Sequence, residues 1–154
     1  SSLFENRYWL IVHDKQTNET KKLINFFQKL GSIVEIVNTE YHDKILAITS
    51  HLPHLIAYTI VGTASDLETD LKNDVIKFSA SGFRDFTRIA SSDPIMWRDV
   101  FLNNSDAVLE MLQRFNEDLS DLQKAIRKKD GDKLHSFFSR TRLIRKKIID
   151  AGQI

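Results

Sequence analysis

The chain has 154 residues, with 22 Lys and Arg against 21 Asp and Glu, and a formal net charge of +1. This length fits one domain or two small pieces, and the balanced charge excludes a globally basic nucleic-acid-binding surface. The sequence contains no cysteine, which excludes disulfides, thiol catalysis and cysteine-ligated zinc and leads us to expect a cytoplasmic protein.

The first forty residues predict a strand, a helix and a second strand. Tyr8–Val12 is rich in aromatic and β-branched residues, as buried strands are. Thr17 or Asn18 is expected to cap a helix that ends at Gly31, and residues 32–37 read as the second strand. One such unit leaves sheet edges open. Residues 1–39 are therefore expected either to be the end of a larger α/β domain or to pair with a partner.

After Asn38 the pattern changes to helices only, so residues 40–154 are expected to form a separate helical domain. The last two predicted helices, separated at Gly131, carry apolar residues at heptad spacing. These are Val108, Leu112, Phe115, Leu119, Leu122 and Ile126, and then Leu134, Phe137, Thr141, Ile144 and Ile148. Seams of this kind predict helix packing within and between subunits, and hence a homodimer.

The helix from His42 to about Thr63 combines apolar bulk with a narrow polar stripe. At about 100° per residue, one line of the helix carries Asp43, Ala47, Ser50, His54 and Ala57. An ionisable stripe on a buried helix predicts a wet or ligand-filled cleft beside it. Pro53 is expected to bend the helix and free the carbonyl of Thr49. A kinked core helix whose histidine is hydrogen-bonded by a neighbouring residue explains the same pattern equally well.

The longest apolar stretch of the chain, about Leu52 to Val61, is shorter than a bilayer span, so no membrane partner is expected.

A second candidate site lies at residues 79–88, where small residues precede a charged helical turn. Asp85 and Arg88 are three residues apart, so they are able to form an ion pair on one helical face. An ordinary surface ion pair without a function would have the same spacing. Together with His54 and Ser50, the Arg88 guanidinium suits a small molecule that bears a carboxylate.

Several other chemistries are disfavoured by the sequence. His42, His51 and His54 do not share one helical face, so no metal site is expected. Neither a glycine-rich phosphate loop nor a nucleophile elbow is present. The C-terminal basic residues are expected to form a solvated face without aromatic platforms for bases, so no nucleic-acid partner is expected.

Four ordered segments resemble the prephenate dehydrogenase family, which includes arogenate and cyclohexadienyl dehydrogenases. They are HD at 42–43, SHLPH at 50–54, GFRDFTRIA at 82–90 and SDPIMW at 92–97. The resemblance implies a mainly α fold class: an all-helical dimerisation domain, similar to the C-terminal domain of 6-phosphogluconate dehydrogenase, preceded by a strand–helix–strand remnant of a Rossmann-like domain.

The resemblance also implies the roles of particular residues. His54 and Arg88 would contact the substrate, Ser81 would line the pocket through its backbone, and the supporting residues would be Asp43, Ser50, Asp85 and Trp97. The family's dinucleotide loop and catalytic histidine are expected upstream of Ser1. NAD or NADP would then serve the full-length enzyme, with none bound to this chain alone.

The implied reaction of the whole enzyme is the oxidative decarboxylation of prephenate to 4-hydroxyphenylpyruvate, or of arogenate to tyrosine, in tyrosine biosynthesis. This chain would supply substrate binding and dimerisation and would be inactive by itself. The alternative interpretation is a non-catalytic helical dimerisation or interaction module, which the heptad seams and the missing cofactor loop also fit.

Overall fold

A computed structural model describes residues 3–13, 17–67 and 69–152. This part of the chain is mainly helical with one small parallel sheet, which confirms the predicted fold class. The elements are β1 (Tyr8–Val12), α1 (Asn18–Lys29), β2 (Ile33–Val37), α2 (Thr39–Leu46), a π-helical turn (Ala47–His51), α3 (Leu52–Ser65), α4 (Thr69–Phe78), α5 (Ser81–Thr87), a 3₁₀ turn (Arg88–Ser91), α6 (Pro94–Asn103), α7 (Ser105–Arg127) and α8 (Gly131–Asp150).

The chain separates into two compact units. One comprises the residues up to Thr39 and those from Arg114 onward, and the other runs from Glu40 to Gln113. The first change of unit falls where the sequence changes from mixed to purely helical. The division into a 1–39 and a 40–154 domain stays a prediction.

In the first unit, β1 and β2 pair in parallel, with Tyr8 opposite Ile33 and Val12 opposite Val37. Helix α1 connects them, and its cap is Thr17, whose hydroxyl accepts from the Thr20 amide at 3.2 Å. The aromatic rings of β1 and α1 hold this unit together: Trp9 stacks on Phe27 with ring centroids 3.7 Å apart. The predicted strand–helix–strand order is therefore confirmed.

Gly31 ends α1, as the sequence predicted. Its φ of +86° lies in the left-handed region, and a Cβ at this position would lie 2.9 Å from Cγ of Glu5. A side chain here would be strained both by the backbone and by its neighbour.

Helices α7 and α8 both line an apolar groove of about 540 Å³, and the Asp130 carboxylate caps α8 by accepting from the Lys133 amide at 2.9 Å. Leu119, Ile126 and Phe138 line the groove with 52%, 63% and 55% of their surfaces exposed. Part of the predicted heptad seam is therefore uncovered within this chain.

The second unit is built on one continuous helix, Thr39–Ser65, formed by α2, the π turn and α3. Its 27 residues include an 18-residue window of mean hydropathy 1.4, which is long and apolar enough to cross a membrane by length and composition, as the core helices of many soluble proteins are. The helix is longer than the stretch Leu52 to Val61 because the polar residues on its stripe do not interrupt it.

Candidate functional site

His54 is fixed by a distortion of the helix that carries it. Just before Pro53 the backbone forms a π turn, in which the Leu52 amide donates to the carbonyl of Ala47 instead of Ile48. Pro53 follows directly in the first turn of α3, where it supplies no N–H to the helix. The His54 Nδ1 donates to the carbonyl oxygen of Ser50 at 2.8 Å.

The free carbonyl expected at Thr49 stays a prediction. The imidazole of His54 bonds the carbonyl of Ser50, which lies four residues earlier, one helical turn away. π turns of this kind occur often at functional sites.

Trp97 packs directly on His54. The two rings stack with centroids 3.7 Å apart and planes at 24°, and the edge of His51 meets the same indole at 6.0 Å. Asp93 places Trp97 by capping α6, because its carboxylate accepts from the amides of Ile95 and Met96. The indole is 7% exposed, yet its Nε1 has no hydrogen-bond partner among the described residues.

On the side of His51, a network of hydrogen bonds connects this group of rings to Asp43 and Asn104. The Asn104 amide nitrogen donates to the carbonyl oxygen of Asp43 at 2.9 Å and to Nδ1 of His51 at 3.1 Å. The Asp43 carboxylate accepts from Nδ1 of His42 at 2.9 Å. Burial lowers the pKa of His51, with smaller contributions from Asp43, which raises it, and from His42 and His54, which lower it. Burial therefore favours the neutral form of His51.

The segment with Ser81, Asp85 and Arg88 packs against the helix that carries His54. Both α5 and the 3₁₀ turn contact α3, and the Tyr58 hydroxyl donates to the carbonyl oxygen of Ser92 at 2.7 Å just beyond that turn. Ser81, Asp85 and Arg88 are all exposed. Within the part of the chain that the structure describes, no carboxylate lies within ion-pair distance of Arg88, so the pair with Asp85 that the spacing allowed does not form.

The polar stripe is only partly open. Ala47 and Ala57 are fully buried, while Asp43, Ser50 and His54 are half-buried. A cavity of about 290 Å³ adjoins Asp43 at the start of the helix, lined also by residues of α6 and α7, but Ser50 and His54 do not line it. A cleft along the whole stripe stays a prediction, because this cavity reaches only Asp43, and Trp97 covers one face of the His54 ring.

The structure adds contacts that sequence analysis missed. Asn104 bonds Asp43 and His51 across more than fifty residues of sequence, and nothing in the segment LNNS marks it for that role. His51 was considered only as a metal ligand. Across residues 3–13, 17–67 and 69–152, no group of three His, Asp or Glu side chains is placed to hold a metal ion.

Comparisons with known proteins agree on one family. Residues 38–140 match the model of the prephenate dehydrogenase dimerization domain. The chain is 35% identical to a cyclohexadienyl dehydrogenase of Zymomonas mobilis over 94% of its own length and 50% of that protein's. It is 33% identical to a prephenate dehydrogenase of Lactococcus lactis, covering 94% of this chain and 39% of that protein.

Solved structures give the same result. The Aquifex aeolicus prephenate dehydrogenase, crystallised with hydroxyphenyl propionate and NAD+, matches with a TM-score of 0.84 at 32% identity, over 94% of this chain and 51% of that one. An arogenate dehydrogenase of Synechocystis shares the fold, with a TM-score of 0.85 at 23% identity, over 96% of this chain and 54% of that one. The chain thus spans about half the length of these relatives, and it belongs to the prephenate dehydrogenase family through their dimerization domain.

Proposed function

We propose that this chain is the substrate-binding and dimerisation half of a dehydrogenase that oxidatively decarboxylates prephenate or arogenate in tyrosine biosynthesis. One observation carries the proposal: a histidine fixed by Ser50 and Trp97 lies on a helix packed against the turn that presents the exposed Arg88. The family and the names of its relatives give the reaction class.

The proposed roles follow from chemistry. Prephenate carries two carboxylates, and the Arg88 guanidinium offers a planar fork that binds one of them in bidentate fashion. His54 orients the ring, and the backbone of Ser81 lines the pocket. The surrounding residues Asp43, Ser50, Asp85 and Trp97 support this arrangement. The contribution of this half is therefore positioning and charge complementarity, while its apolar residues exclude water.

The residues of this chain do not fit a dinucleotide site. The five glycines do not form a G-x-G-x-x-G motif. NAD or NADP, one of which is named in the Aquifex aeolicus complex, is accordingly assigned to parts of the enzyme outside this sequence. The same holds for the group that takes the hydroxyl proton, so the chain alone is proposed to be inactive and to bind no cofactor.

The exposed apolar surface supports the proposed assembly. Only 22% of the apolar window in the helix Thr39–Ser65 is buried within this chain, and the groove of α7 and α8 is open. A second copy would cover such surface in a homodimer. Residues 1–39 are proposed to complete a nucleotide-binding domain, since a two-stranded sheet does not stand alone. The cytoplasm is the proposed location.

The test is an assay of the dehydrogenase polypeptide that contains this chain. Prephenate and arogenate are each supplied with NAD+ and with NADP+, and formation of the reduced nicotinamide is followed. Turnover of one substrate with one cofactor supports the proposal and names both. If neither substrate is oxidised while the purified protein is folded and dimeric, the dehydrogenase proposal is wrong and the helical interaction module replaces it.

A further inference from the structure

The segment SHLPH presents two imidazoles whose protonation is fixed by different partners. For His54 the partner is the carbonyl oxygen of Ser50, which can only accept. The Nδ1 of His54 must therefore carry the proton of the neutral ring. Its Nε2 is left with a lone pair and acts as a hydrogen-bond acceptor.

His51 is held in the opposite tautomer. The Asn104 nitrogen donates to the carbonyl oxygen of Asp43, which fixes the orientation of the amide, so the contact from the same nitrogen to His51 Nδ1 is also a donation. The neutral His51 therefore carries its proton on Nε2. This nitrogen has no hydrogen-bond partner among the described residues.

Trp97 lies against both rings. His54 stacks on its face, His51 meets it edge-on, and burial leaves the indole Nε1 without an acceptor in this part of the chain. His51 and His54 interact electrostatically, since His54 lowers the pKa of His51, and both rings share Trp97 as a packing partner. Aromatic pairs of this geometry restrict one another's orientation.

We infer that His51 is a positioning residue of this site: Asn104 fixes it as the Nε2–H tautomer, and it holds Trp97 against His54, so that Nε2 of His54 accepts a hydrogen bond from a ligand hydroxyl. The ligand rests on the proposed function, whereas the tautomers rest only on hydrogen bonds within this chain. Nothing in the resemblance to the family assigned a role to His51 or Asn104.

The tautomers are measured on this 154-residue chain. Long-range proton–nitrogen correlation spectra of histidine-labelled protein, recorded where the imidazoles are neutral, identify the protonated nitrogen of each ring. The expected result is Nε2–H for His51 and Nδ1–H for His54. In Asn104→Leu, His51 should lose its single tautomer and the His54 signals should shift. Either ring in the other tautomer, or unchanged His54 signals in Asn104→Leu, would overturn the inference.

The consequence for substrate is measured in the full-length dehydrogenase. His51→Leu removes the polar contact to Asn104 and the edge contact to Trp97, and should raise KM about tenfold with kcat within about threefold. His51→Asn keeps an acceptor for Asn104 but lacks the ring edge that contacts Trp97, so it should recover only part of the loss. The exposed His135 on α8 supplies the control, His135→Leu, which should change neither constant.

An unchanged KM in His51→Leu contradicts the positioning role. If His51→Leu does not fold, Asn104→Leu and the spectra decide in its place. Different results contradict the two proposals. A wild-type enzyme that oxidises neither substrate contradicts the dehydrogenase proposal and leaves the tautomer measurements unaffected. In that case titration of the labelled chain with hydroxyphenyl propionate tests whether Nε2 of His54 faces a ligand. No shift of that nitrogen would overturn the acceptor role.

Discussion

The indole of Trp97 stacks on the imidazole of His54, with ring centroids 3.7 Å apart, while its own N–H remains without an acceptor among the described residues. The ring of Trp97 therefore contributes through packing, and its N–H is a separate group whose contribution can be tested by itself. The stack and the burial account for the stability of this region, whereas the N–H contributes no hydrogen bond to it.

Two substitutions at Trp97 test this separation. Trp97→Phe keeps an aromatic ring over His54 and removes an unpaired buried donor, so the free energy of unfolding should fall by less than about 1.5 kcal/mol. Trp97→Ala should lose about 3–5 kcal/mol, as large-to-small core substitutions do. Chemical denaturation measures both. Equal losses in the two variants would mean that the N–H has a partner that stabilises the fold.

The Arg88 guanidinium is exposed and has no carboxylate within ion-pair distance among the described residues. In the full-length dehydrogenase, Arg88→Ala should raise the substrate KM about 10- to 100-fold, the range expected for a lost hydrogen-bonded charge pair. Arg88→Lys should recover only part, because an ammonium does not bind a carboxylate in bidentate fashion.

Arg84 gives a matched control for this prediction. It is another exposed arginine, one turn earlier in α5, and Arg84→Ala should leave KM unchanged. The KM for the nicotinamide cofactor should stay constant in all three variants. Equal effects of Arg84→Ala and Arg88→Ala would indicate a general charge effect and remove the assigned role of Arg88.

The groove of α7 and α8 provides the test of dimerisation. Leu119 and Ile126 are more than half exposed there, so a charge at either position should cost little in the monomer and much in an apolar interface. Leu119→Glu and Ile126→Glu should each convert a dimer to a monomer in light scattering at micromolar concentration. Arg127→Glu, exposed and outside the groove lining, should remain dimeric. Dimers in all three variants would place the interface elsewhere.

The sequence predicted the elements well because their signals are local. Thr17 caps α1, Gly31 follows its end, and Tyr8–Val12 carries the residue types of a strand, whereas Gly131 begins α8 and the cap before it is Asp130. Each of these depends on a few neighbouring residues. The helix that follows Asn38 was likewise predicted from its periodicity.

The site was harder to predict because its contacts join distant residues. Helical spacing placed Ser50 and His54 on one line, and the two do bond, through the imidazole of His54 and the backbone carbonyl of Ser50. The bond from Asn104 to His51 spans fifty-three residues and depends on how α6 ends at Asn104. Neither the π turn at Ala47–His51 nor the position where α6 ends can be read from helical periodicity.

The lowered pKa of His51 makes the stability of the second unit depend on pH. Burial is the main cause, and it lowers the pKa from the usual value of 6.5. Between the lowered pKa and 6.5, the unfolded chain binds a proton that folded His51 does not. His51 therefore contributes stability that is fully present above pH 6.5 and is lost as the pH falls below it.

His51→Asn removes this contribution and should flatten the dependence by up to about 1.4 kcal/mol per pH unit, the limit for one proton. Denaturation between about pH 7.5 and pH 5.5 measures it, in a Trp9→Phe background so that fluorescence reports Trp97, the other tryptophan of the chain. His135→Asn, an exposed histidine replaced in the same way, should keep the wild-type slope. A steeper fall in His51→Asn than in wild type would contradict the neutral, buried imidazole that Asn104 and Trp97 hold in place.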